Sequence, residues 1–98
     1  MRIVAIGNRT FVAAFRLAGV EGIEIKSSEE LYKKIIKLIE GKDVGLIMIS
    51  DEMAKSIRDK ISELKSNFAV PLIYEVPAPG SKIESMDYRD IVKKILGF

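Results

Sequence analysis

Asp43 to Arg58, DVGLIMISDEMAKSIR, decides the architecture, because an uninterrupted apolar run stops at Ser50-Asp51 and a helical pattern starts at once. A run this short and free of polar residues marks a strand buried on both faces, since a strand with one wet face would alternate. It reads as the central strand of a parallel sheet. Ser50 or Asp51 can accept the orphan N–H groups of the turn that follows. Met53, Ile57, Ile61 and Leu64 then recur at spacings of four, four and three residues, one apolar stripe along a helix. Strand, cap and helix make half of a βαβ unit.

The remaining chain is short. Its 98 residues suit one small domain, and 48% hydrophobic with 31% charged residues is the balance of a soluble globular protein. No apolar run approaches the ~18 residues needed to span a bilayer. Met1-Arg2 leads straight into a strand-like run, with neither a signal-peptide hydrophobic region nor a cleavage site, so a cytoplasmic chain is expected. Cysteine and histidine are absent, which removes thiolate nucleophiles, disulfides, zinc fingers and the usual acid/base residue of neutral pH. A net charge of +2 with interspersed lysines and glutamates makes no nucleic-acid face. Abundant Lys, Glu and Ile without Cys or Trp suits a thermophilic source.

Upstream, Ile3 to Ile6 is a short buried strand closed by Gly7-Asn8, where a turn and an N-cap coincide. The helix expected over about Arg9 to Ala18 carries Phe11, Val12, Ala13, Ala14, Phe15, Leu17 and Ala18 nearly all round it. Such a helix needs cover beyond its own sheet, and a partner protein is the favoured source. Gly19 is a natural stop, and Gly22 to Lys26 alternates as an edge strand does. Ser27 and Glu30 form a capping box for a helix whose buried stripe is Leu31, Ile35, Leu38 and Ile39. Lys33, Lys34 and Lys37 face water, and Gly41 ends the helix.

Downstream, Pro71 to Val76 is a fourth strand with Glu75 as its only charge. Residues 1–76 are thus a Rossmann-like or receiver-like α/β domain. Residues 77–86, beginning Pro77-Ala78-Pro79-Gly80-Ser81, are a linker. Residues 87–98 are a C-terminal helix in which Tyr88, Ile91, Val92, Ile95 and Leu96 share one face. The fold class is α/β: a four-stranded parallel sheet in the order 2-1-3-4, flanked by helices, plus a tethered C-terminal amphipathic helix.

In such a sheet the ligand crevice lies where the strand order reverses, between Gly7-Asn8-Arg9-Thr10 and Ser50-Asp51-Glu52. The dinucleotide and P-loop glycine patterns are absent there. Asp51 reads as a helix cap, because a phosphoacceptor site also wants acidic residues after the first strand and a lysine on a fifth. No nucleophile and base pair is recognisable, so no enzyme, metal or cofactor is expected. A small-ligand or nucleotide sensor using Asn8, Arg9, Ser50 and Asp51 stays open as the alternative.

Three segments together resemble one family, the F subunits of the archaeal (A-type) and vacuolar-type rotary ATPases. Ile6-Gly7-Asn8-Arg9 followed by Phe15-Arg16-Leu17-Ala18-Gly19 is similar to its G-D-R…G-F-R-L-A-G signature, with Asn8 in place of Asp and Ala14 in place of Gly. Asp43 to Ile49 with Met53-Ala54 and Ile57-Arg58 resembles its buried strand and I-A-x-x-I-R helix, and Pro71 to Pro77 its P-x-x-x-E-I-P strand exit. The likeness covers nearly the whole chain.

The resemblance implies a noncatalytic rotor component of a proton- or sodium-translocating ATP synthase. Such a component sits on the central stalk on the cytoplasmic side of the membrane, and meets the membrane only through the complex. It binds the coiled-coil D subunit of the stalk and reaches toward the catalytic A and B subunits through its C-terminal helix, regulating ATP hydrolysis. On this reading Phe11, Phe15 and Arg16 belong to or border the partner-facing side, and Tyr88, Ile91, Val92 and Ile95 form a mobile face. Core packing for Phe15, stem packing for Arg16 and ordinary docking for the last helix are the competing readings.

Overall fold

The computed structural model describes residues 1–77. The linker beyond Pro77, the helix expected over 87–98 and its Tyr88, Ile91, Val92 and Ile95 lie outside the described residues.

The elements follow the order β1 (Arg2–Gly7), α1 (Arg9–Leu17), β2 (Glu21–Glu24), α2 (Ser28–Gly41), β3 (Val44–Ser50), α3 (Asp51–Ala54), a 3-10 turn (Lys55–Ile57), α4 (Arg58–Asn67) and β4 (Leu72–Val76). All strands pair in parallel, in the order β2-β1-β3-β4, as the apolar runs of β1 and β3 predict for the centre of the sheet. Two cores lie on its two faces. Val4, Ile6, Ile47 and Ile49 pack against Leu31, Ile35 and Ile39 of α2, Ala54 of α3, and Ile61 and Leu64 of α4. On the opposite face Ala5, Met48 and Val76 meet Phe11, Val12 and Phe15 of α1 together with Val20.

The helix expected after β3 is broken. Ser28 Oγ, reaching from the first turn of α2, donates to the Met53 carbonyl at 2.6 Å and accepts from Ser56 Oγ at 2.9 Å. It thereby takes the acceptor that an unbroken helix would offer to Ile57, and a side chain inserted in the backbone ladder is a recognised cause of a kink. Nor does Ser50 supply the expected cap: its hydroxyl is buried and finds no partner among the described residues. At the end of α2 the left-handed residue is Lys42, at φ 60°, rather than Gly41.

Other boundaries obey their local signals. Asn8 Oδ1 accepts from the Phe11 N–H at 2.9 Å, and Ser27 Oγ from that of Glu30 at 3.2 Å. Gly19, at φ 82°, closes α1 in a Schellman motif, its N–H donating to the Arg16 carbonyl and that of Val20 to the Phe15 carbonyl.

Candidate functional site

The residues of the three signature segments come together in three places. The first is the β1–α1 corner. A Cβ on Gly7 would stand 2.5 Å from Phe11 Cδ1, so the glycine makes room for the ring, and Asn8 caps the same turn. Phe11 and Phe15, their centroids 4.7 Å apart, are completely buried against β1 and β3.

That placement puts both phenylalanines in the domain's own core, the competing reading for Phe15. The apparent all-round apolarity of α1 comes from its alanines and Leu17, while Phe11, Val12 and Phe15 converge on the sheet. After the exposed first turn at Arg9 and Thr10, the helix presents Ala13, Arg16 and Leu17 outward, and Leu17 is 71% exposed. In the second place Arg16 lies over β2, where its Nη2 donates to the Gly22 carbonyl at 3.1 Å. A Cβ at Gly22 would meet Val12 Cγ1 at 2.5 Å and Arg16 Nε at 3.2 Å, so this glycine lets α1 sit close to the strand.

The third cluster joins the other two motifs. Glu75, the lone charge of β4, pairs with Arg58 at 3.3 Å and Lys65 at 3.6 Å, tying α4 to the edge strand. Nothing in the sequence alone assigned Arg58 to Glu75. At the strand ends, Asn8 is occupied as a cap and Ser50 is buried, while Arg9 and Asp51 open α1 and α3. Among the described residues no cluster of carboxylates could hold a metal, and no helix is long and apolar enough to cross a membrane. The α2 lysines 33, 34 and 37 line a shallow depression with Glu30.

A surface that the apolar patterning did not single out runs along β4. Leu72 and Tyr74, two residues apart on β4, are both substantially exposed and so share one side of the strand, and Phe68 and Val70 are exposed in the loop that precedes it. The alternation was legible, but a strand read as mostly apolar concealed which side it fell on.

Comparison with known proteins adds the family. The model for the ATP synthase (F/14-kDa) subunit matches residues 3–95. The A-type ATP synthase F subunit of Methanocaldococcus jannaschii is 30% identical over 99 residues, covering 99% of this chain and 96% of the relative. That of Thermococcus kodakarensis is 35% identical over 103 residues, covering 99% and 95%. The crystal structure of the V-type ATP synthase F subunit from Archaeoglobus fulgidus is similar with a TM-score of 0.60 at 26% identity, over 76% of this chain and 95% of that one.

Proposed function

This chain belongs to the F-subunit family of A-type and V-type ATP synthases, and from that premise we propose that it is a noncatalytic central-stalk component. In this role it binds the coiled-coil D subunit of the stalk, turns with it on the cytoplasmic side of the membrane, and regulates ATP hydrolysis through residues 87–98, whose Tyr88, Ile91, Val92 and Ile95 reach toward the catalytic A and B subunits. The observation that carries the reading is how the motif residues are used. Gly7 accommodates Phe11, Asn8 caps α1, Arg16 holds β2 and Arg58 holds β4, so each maintains the shape of the domain rather than converging on a reacting centre. A torque-bearing adaptor needs shape, and a preorganised catalytic group needs convergence.

The partner-facing surface on this reading is the outward side of α1, at Ala13, Arg16 and Leu17. Co-purification with the coiled-coil stalk protein of the same organism, followed by mass determination after size exclusion, tests it. A one-to-one complex is expected, weakened by about tenfold or more in Leu17→Glu, because a carboxylate in a desolvated contact is costly. Failure of two folded proteins to associate would remove the stalk assignment. Survival of the complex in Leu17→Glu would move its interface elsewhere.

A further inference from the structure

The two rims of the sheet are guarded unequally. β2 forms one edge and β4 the other, and among the described residues the outer side of β4 pairs with no strand. The β2 rim is four residues long and carries exposed Glu21 and Glu24. Charges on a short edge are a recognised guard against pairing with another chain. β4 has five residues, and its lone charge, Glu75, is already neutralised by Arg58 at 3.3 Å and Lys65 at 3.6 Å. Leu72 and Tyr74 stand 66% and 48% exposed on one side of the strand, and Phe68 and Val70 continue the uncharged strip ahead of it. Such an edge offers backbone donors and acceptors with nothing to repel an arriving strand.

We propose that β4 of the free chain pairs with β4 of a second copy, antiparallel about a twofold axis at Ile73, so that the two sheets join through this rim. The self-match of the strand argues for that occupant. An axis at Ile73 sets Leu72 opposite the partner's Tyr74, and Tyr74 opposite the partner's Leu72. The two exposed apolar side chains of the strand thus cover one another, at the Cβ separation of about 4.5–5.5 Å of directly opposed residues. An axis at Tyr74 would instead set Leu72 against Val76, which is already fully buried. Opposed residues in this register lie two apart in number, so the α1 face of one copy continues into the α1 face of the other, and the α4 faces do the same. Charge agrees with the pairing. Glu75 falls opposite the partner's Pro71 rather than another carboxylate, and its own Arg58 and Lys65 already balance it. Area sets the strength: two rims of this length bury less than about 1,200 Å², the range of weak and transient contacts. The association is therefore reversible, and it stands independently of the stalk reading, which rests on α1.

Sedimentation velocity of the free 98-residue chain tests the pairing. A monomer is expected at low micromolar concentration and a reversible dimer as the concentration approaches about a millimolar. Leu72→Lys and, separately, Tyr74→Lys place a guard on the rim at exposed positions and should each weaken the dimer by about tenfold or more. Circular dichroism verifies that both variants fold. The chain contains no cysteine, so single introduced thiols report the register. An equimolar mixture of the Leu72→Cys and Tyr74→Cys proteins should form the mixed disulfide about tenfold faster than either protein forms its own, because like positions lie on the diagonal, roughly 7–8 Å apart and out of disulfide reach. A chain that stays monomeric up to millimolar concentration would overturn the proposal and leave the rim to a strand of a different protein. Undiminished dimerisation in both lysine variants, or like-with-like disulfides that form as fast as the mixed one, would equally reject pairing in this register.

Discussion

At the residue scale, two backbone positions make opposite demands. Lys42 adopts φ 60° at the end of α2, where an L side chain crowds the following carbonyl and glycine does not. Lys42→Gly should therefore stabilise the domain by about 1 kcal/mol, a rise of roughly 4–8 °C in a thermal melt; an unchanged or lower midpoint would show that the lysine is not strained. Gly7 is the reverse case, because any Cβ there collides with Phe11 at 2.5 Å. Gly7→Ala should cost about 1–3 kcal/mol by overpacking. Combining it with Phe11→Leu should cost less than the sum of the two single changes, as urea titration of the four proteins can establish. The glycine of the sequence signature is thus accounted for by an aromatic ring four residues later, a contact no spacing rule reveals.

At the element scale, the segment after β3 shows where a periodic stripe misleads. Met53, Ile57, Ile61 and Leu64 do all turn toward the same core, yet the backbone passes through a four-residue helix, a 3-10 turn and a second helix. The stripe reports which side is buried, while the break is caused by Ser28, a residue of a different helix that captures the Met53 carbonyl. Ser28→Ala should cost about 1 kcal/mol, the net worth of a hydrogen bond, and leave the Ser56 hydroxyl without its acceptor. If denaturant midpoints of wild type and variant coincide, Ser28 merely accompanies the break. α1 teaches the companion lesson: its alanines and Leu17 made the helix look apolar on all sides, and only the position of the sheet shows that Phe11, Val12 and Phe15 form its inner side.

At the scale of the whole molecule, the open end of the sheet is fastened by a single exposed cation. Arg2 Nε donates to Glu21 Oε1 at 3.0 Å and Nη1 to Asp43 Oδ2 at 2.8 Å, joining the first residue of β1 to β2 and to the approach to β3. These hydrogen bonds to Arg2 hold both carboxyls below their ordinary range. A carboxylate with a depressed folded pKa contributes stability that is present above its unfolded value, about 4, and is lost as pH falls through the folded value. Wild type should therefore melt above Arg2→Met at neutral pH, with the gap closing as the pH falls below that unfolded value and through the depressed folded ones, while solvent exposure keeps the difference small. A gap that persists in acid would assign the effect of Arg2 to the packing of its stem.

The sequence by itself determined the strand order, the parallel sheet, the caps at Asn8 and Ser27 and the family, because each of these is written in local patterns: apolar runs, polar caps, and motifs in a fixed order. Apolar periodicity says that a side chain is buried, and the chain connectivity of a βαβ fold says on which strand it sits. What the tertiary structure alone decided is which elements bury what. It sent Phe11 and Phe15 inward, bent the helix after β3 around Ser28, paired Arg58 with Glu75, and left Leu72 and Tyr74 open on the edge strand. Those outcomes depend on contacts between residues far apart in sequence, and whether a given apolar side chain finds cover is set by how much surface the neighbouring elements supply.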